Sequence, residues 1–130
     1  MEKDKQSGDA ASAANSYINP WSRACVERDW DALLAMCNDD MVFMPPGTNA
    51  VSGGSMRQWL DSLPTVKAMS WSIARIRQDG DTACLHGPVK QTFTIEGRDE
   101  HFDGKYCDVM RRGSDGKWRF SLIIWNSNHA

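Results

Sequence analysis

The chain has 130 residues, 41% of them hydrophobic and 25% charged, and a formal net charge of −2. Those values suit one globular domain and give no basic field that would favour nucleic acid or an anionic membrane. No apolar run approaches the ~20 residues of a membrane span, and Met1–Ala14 lacks the apolar stretch of a signal peptide, so the expected setting is cytoplasmic.

Met1–Gly8 is polar and small-residue rich and reads as a disordered tail, with one domain over residues 9–130. A helix is predicted from about Asp9. Tyr17, Trp21, Ala24, Cys25 and Arg28 recur at spacings of three and four and share a face. Pro20 predicts a kink near Ser16–Pro20, or a restart with Asn19 as cap. Asp29 is a good N-cap for a second short helix with Trp30, Leu33, Leu34 and Cys37 as its apolar stripe. Met41–Met44 reads as a short strand stopped by Pro45-Pro46-Gly47. Ser55-Met56-Arg57-Gln58 has the form of a capping box, opening a third helix that buries Met56, Trp59, Leu60 and Leu63.

Beyond Pro64 everything reads as strand. Val66–Gln78 alternates as one strand, Asp79-Gly80 is a hairpin turn, and Thr82–Ile95 alternates again. Gly87-Pro88 predicts a bulge or strong bend in its middle. Two further strands flank the Gly113–Lys117 turn. The last, Phe120–Trp125, is apolar at almost every position and needs cover on both faces. Helices followed by an antiparallel meander give an α+β fold. Too few helices exist to cover both faces of the sheet, so a second copy of the chain is the expected cover for the outer one.

Composition adds six Trp and seven Met, which suit either an adaptable apolar cavity or a plain core. Cys25, Cys37, Cys84 and Cys107 form no Cys-x-x-Cys pair and read as buried free thiols. No His/Asp/Glu cluster has metal-ligand spacing, and neither a nucleophile elbow nor a phosphate loop is present, so no metal and no cofactor is expected.

Arg28-Asp29-Trp30-Asp31-Ala32-Leu33, Asp39–Gly47 and the C-terminal Asp108, Asp115–Trp118 and Trp125–Asn128 resemble the SnoaL-like/DUF4440 branch of the NTF2-like superfamily, which includes ketosteroid isomerases, polyketide cyclases, scytalone dehydratase and limonene epoxide hydrolase. The resemblance implies a cone-shaped α+β barrel: N-terminal helices wrapped by a curved antiparallel sheet around a deep apolar pocket, with a homodimer through the sheet's outer face. Ketosteroid isomerases place an Asp base at the end of the first strand, before a Pro; here that segment is Phe43-Met44-Pro45-Pro46, with no carboxylate. Their helix-1 Tyr matches Trp21, with Tyr17 one turn earlier. Their protonated Asp matches Asp108, and their aromatic lining matches Trp125.

Asp108 is therefore the leading catalytic candidate, on one strand face with Tyr106 and Met110; the alternative is a structural carboxylate tied to Arg or Trp N–H groups. Tyr17 and His86 are the candidate second polar groups, although a satisfied or solvent-facing strand histidine is the simpler reading of His86. Trp21, Met44, Met56, Trp59, Trp71, Tyr106, Trp125 and Asn126 are the candidate ligand-binding wall. Two functions follow. One is a module binding a small hydrophobic molecule. The other is an isomerase, cyclase or dehydratase-like lyase acting on a carbonyl-bearing apolar substrate. The missing base before Pro45 favours the first.

Overall fold

The computed structural model describes residues 9–129, so the expected tail at Met1–Gly8 lies outside the described residues. In chain order the elements are α1 (Asp9–Glu27), α2 (Trp30–Ala35), β1 (Cys37–Met44), β2 (Val51–Ser52), a 3-10 turn (Gly53–Ser55), α3 (Met56–Asp61), β3 (Thr65–Trp71), β4 (Arg75–Asp79), β5 (Thr82–Ile95), β6 (Arg98–Arg112) and β7 (Trp118–Ser127).

The helices form for local reasons. α1 runs unbroken through Pro20, so the expected restart at Asn19 does not occur. Its buried face is Ala10, Ala14, Trp21, Ala24 and Cys25, at helical spacing. The helix stops where Arg28 turns to φ 57° and the Asp29 N–H closes on Ala24 O at 2.9 Å. Asp29 caps α2 as its sequence suggests, its Oδ1 accepting from Ala32 N at 3.1 Å. The capping box at Ser55 is not made. Ser55 already has helical φ and ψ at the end of the 3-10 turn, and its hydroxyl donates to Ser52 O instead.

The strands make one curled seven-stranded sheet, ordered β2-β1-β7-β6-β5-β3, with β4 also pairing β5. β1 runs parallel to β7, and the other pairs are antiparallel. Glu96 (φ 52°) and Gly97 (φ 78°) make the tight turn joining β5 to β6. The single strand expected over Val66–Gln78 is two, broken at residues 72–74. At the break, Ser72 N and Ala74 N still reach Pro88 O and His86 O of β5. Ser72 comes so close that a Cβ on Gly87 would lie 2.1 Å from Ser72 O. No bulge forms at Gly87-Pro88, since its register with β6 is continuous. Register shifts lie elsewhere: in β7 at Ser121, where Met110 pairs Phe120 but Val109 pairs Leu122, and in β3 at Lys67, where Val66 pairs Phe93 but Ala68 pairs Thr92.

Helix α1 lies in the concave face of the sheet, against β3, β4 and β7. Trp71 Nε1–H donates to Ile18 O at 3.2 Å and fastens β3 to it. Arg112 ties the helix start to the sheet, bridging Asp9 and Asp81 while its guanidinium lies over the Trp118 ring. The fold is therefore α+β, a cone of curved sheet closed by helices, with the core inside the curl. No helix among the described residues is long and apolar enough to cross a membrane.

Candidate functional site

Strand alternation decides what faces the inside of the cone. Along β6, Tyr106, Asp108 and Met110 are buried, while Lys105, Cys107 and Arg111 are exposed. At the level of Asp108, Leu85, Asp108, Ile123 and Phe43 are successive Cα partners across β5, β6, β7 and β1. One repeat further on come Gly87, Tyr106 and Trp125. These inner rows and the helices leave a cavity of about 130 Å³ between them. Trp21 and Cys25 of α1, Trp30 and Leu33 of α2 and Trp59 and Leu60 of α3 line the helical side. Met69, Gln91 and Phe93 are half-buried and mark its open side.

The walls are largely aromatic. Phe43, Trp59 and Trp125 meet pairwise, with ring centroids 5.2 to 6.5 Å apart in tilted and edge-to-face arrangements. Trp71 stands edge-on to Tyr106 at 5.5 Å. Two of the polar atoms are already satisfied by backbone: Trp71 Nε1–H by Ile18 O, and Tyr106 O–H by Ser72 O at 2.8 Å. Gln91 Nε2 makes a weak contact with Met69 Sδ at 3.7 Å.

Asp108 differs from all of these. It is 4% exposed, the one buried charged-type side chain among the described residues. Its Oδ1 has no hydrogen-bond partner among them. Burial pushes its carboxyl well above the usual carboxylate range, because removing the charged form from water is costly and no cation offsets it. The neutral acid carries an O–H, so this group can donate a hydrogen bond as well as accept one. The surrounding thiols are inert. Cys25 and Cys37 are pushed up to about 12, by burial in both and by the nearby Asp108 in Cys37.

The model of the SnoaL-like domain family matches residues 18–120. The chain belongs to that family. Among solved structures, this SnoaL-like domain is similar to a ketosteroid isomerase-like protein from Erwinia carotovora atroseptica (TM-score 0.83, 19% identity, covering 95% of this chain and 100% of that one). It is also similar to an NTF2-like protein of unknown function from Prochlorococcus marinus (0.78, 13%, 95% and 96%). A third is an NTF2-like protein with a cystatin-like fold from Novosphingobium aromaticivorans (0.77, 16%, 92% and 82%). At these identities the likeness establishes the NTF2-like cone and no more. No curated protein matches the sequence.

Within the SnoaL-like domain, Asp108, Trp21, Trp59, Trp71, Tyr106 and Trp125 all lie on the cavity wall. Five other candidates do not. Tyr17 stands outside it, its O–H donating to Trp118 O, and burial raises its pKa. Met56 is buried in the core away from the lining. Met44 is on the outer face, because Phe43 beside it takes the inward phase of β1 and pairs Ile123. His86 is exposed on the outer face, between Arg75 and Cys107. Asn126 is exposed beside Lys105, since the bulge at Ser121 fixes Ile123 and Trp125 as the inward residues. Cys84 and Cys107, expected to be buried, are exposed on that same outer face. The sequence reading missed Phe43, Ile123 and Gln91. The available signal for Gln91 was its place in the apolar phase of β5, between Val89 and Phe93. Among the described residues no three His, Cys, Asp or Glu side chains converge as metal ligands.

Proposed function

We propose that this SnoaL-like domain binds a small, largely apolar molecule in its cone, with Asp108 as the deep polar contact. One observation carries the reading: a fully buried carboxyl oxygen without a partner, on the wall of an otherwise apolar cavity. Leaving such a group unsatisfied costs about 1–3 kcal/mol, which a ligand atom at hydrogen-bond distance would recover in part. Native mass spectrometry of the protein as purified, with thermal-shift screening against apolar compounds, tests it. A retained or stabilising ligand is expected. A protein that binds none, and whose melting temperature none raises, would end the proposal.

A second reading follows from the neutral acid itself. A buried donor beside a bound carbonyl can stabilise a developing enolate, so an isomerase-, cyclase- or dehydratase-like activity of the ketosteroid-isomerase type is the alternative. A substrate-bound general base is what it lacks, because Met44 occupies the position before Pro45 and faces outward. Binding without turnover is the reading we favour.

We also infer a homodimer through the outer sheet face. Val42, Met44, Val109 and Leu122 are half-buried there, and Ile124 is 39% exposed. Together they support an apolar strip suited to a second copy. Light scattering at micromolar concentration should give twice the chain mass; a monomer refutes it. The free, exposed thiols Cys84 and Cys107 support a reducing, cytoplasmic setting.

A further inference from the structure

One wall of the cavity is held differently from the others. Strand pairing fixes the sheet side, whereas the short helix α3 and the residues after it supply Trp59, Leu60 and Leu63. The chain enters α3 through Gly53 (φ 64°) and Gly54, where an added Cβ would meet open space. It leaves through Leu63 and Pro64 into β3. Leu63 is half-buried on the lining, three residues before Val66, which pairs Phe93. That brings the C-terminal end of α3 to the open side that Met69, Gln91 and Phe93 mark. Beneath α3, Trp59 rests on Phe43 and Trp125, rings of the cavity wall.

The same end is gripped by a side chain whose backbone is strained. Arg28 has φ 57°, a left-handed conformation that favours glycine and costs an L residue. Helices commonly end on glycine in that conformation. Here the guanidinium crosses to carbonyls left free where α3 stops. Nη1 donates to Leu63 O and Nη2 to Asp61 O, both at 2.9 Å. The group also lies 5.4 Å from the ring centroid of Trp30, another lining residue. A glycine at this position would relax the turn and lose the grip, so the strain accompanies a tie between α1 and α3.

A second tie is weaker. Arg57 Nη1 of α3 meets Asp31 Oδ1 of α2 at 2.7 Å, with side chains 50% and 86% exposed, so water competes for both ions. Among the described residues, Arg28 and Arg57 make the side-chain hydrogen bonds and ion pairs that hold α3 to the other helices.

We propose that α3 is a lid. It swings at Gly53-Gly54 to widen the open side of the cone, and Arg28 is the latch that holds it shut. The lid governs access, and it rests on the binding reading above for what passes beneath it.

Cys25 can report the opening. It lines the cavity, whereas Cys37 is as deeply buried and lies off the lining. Burial pushes both thiols up to about 12, so access rather than intrinsic reactivity separates them. N-ethylmaleimide labelling of the whole protein, read peptide by peptide by mass spectrometry, should modify Cys25 faster than Cys37. Arg28→Gly suits the left-handed turn and removes the latch. It should speed Cys25 labelling about tenfold, the worth of hydrogen bonds from a charged donor. Cys37 labelling and amide exchange along α1 should not change. Arg28→Lys, which keeps the charge without the fork, should fall between. Stopped-flow mixing with Nile red should show faster entry and release in Arg28→Gly, with affinity altered less than about threefold. An unchanged Cys25 rate, a matching rise at Cys37 or in α1 exchange, or Nile red rates that ignore the latch would each overturn the proposal. Should Arg28→Gly fail to fold, the Cys25 rate in Arg28→Lys decides in the same way. Failure of Nile red to bind, beside latch-dependent labelling of Cys25, would count against the binding reading and leave the lid standing.

Discussion

The two faces of the sheet are built from the same strands and obey opposite rules. Inside the curl, aromatic rings crowd a cavity, and the deepest polar group, Asp108, has an oxygen with no partner. Outside, charges are abundant and paired: Arg111 with Asp40, Lys67 with Asp99, and Arg119 with Asp115. In the exposed turn between β6 and β7, the Arg119 guanidinium and the Lys117 N–H hold Asp115 down at about 2, the reverse of what burial does to Asp108. A carboxylate on the wet side is stabilised as an ion. On the dry side the same group is held as an acid, and a chain retaining such an acid without a protein partner leaves its hydrogen bond available to something else.

The inner face should be the less tolerant, and the largest loss is expected at Phe120. It is 1% exposed, lines the cavity, and packs on Tyr17 and Trp21 at centroid distances of 5.5 and 5.2 Å. Phe120→Ala should lower unfolding free energy by about 3–5 kcal/mol in urea titrations. A loss under about 1 kcal/mol would mean that this wall collapses freely and that the cavity is not a fixed shape. Gly87→Ala comes next. Its new Cβ would meet Ser72 O, a backbone atom that cannot swing aside. The expected loss is about 2–3 kcal/mol, and the strain falls on the segment that holds the Tyr106 hydroxyl, through Ser72 O. Unchanged denaturation midpoints would show that the break between β3 and β4 is slack.

Much of this contrast was legible in the residues. Period-two alternation put Tyr106, Asp108 and Met110 on one face, and β6 keeps that face. Asp29 as a cap and the turn at Gly80 follow from local chemistry, which tertiary packing had no cause to override. The failures have a common cause: phase. Met44 and Asn126 are each one residue from an inward-facing aromatic, and a single bulge or an earlier strand start decides between neighbours. Met41–Met44 alone cannot reveal that β1 begins at Cys37. Nor can the single run Val66–Gln78 show its break, which falls where Ser72 O lies close against Gly87 of a different strand. The lack of a partner for Asp108 depends on what the neighbouring elements present to it and has no signature in its own strand.

A proton can sharpen the comparison. Unfolded, Asp108 ionises with the ordinary carboxylate pKa of about 3.9; folded, burial keeps it an acid to higher pH. The unfolded chain then binds fewer protons at this site, so the contribution of Asp108 to stability is fully present below about pH 4 and is lost as pH rises toward the folded pKa, by up to about 1.4 kcal/mol per pH unit. Its neighbours Tyr106, Cys37 and Cys107 are all shifted upward and stay neutral through this range. Asp108→Asn should flatten that decline and be at least as stable as the native chain at pH 7, by thermal melts from pH 4 to 8. A steeper decline in the variant would mean that Asp108 is ionised and paired in the fold.

The smallest effect belongs to the outer face. Arg111 and Asp40 pair with side chains 50% and 55% exposed, so water already solvates both ions and salt screens what remains. Asp40→Asn should change unfolding free energy by less than about 0.5 kcal/mol, and by less still at high salt. Chemical denaturation at low and high ionic strength, over a range of protein concentration, decides it. A loss above about 2 kcal/mol that grows with protein concentration would mean that the pair is not facing water at all. The dimer proposed through the outer face would then extend over this pair instead of leaving it at the wet margin, and the two faces of the sheet would be alike in being buried while still differing in how they treat a carboxyl group.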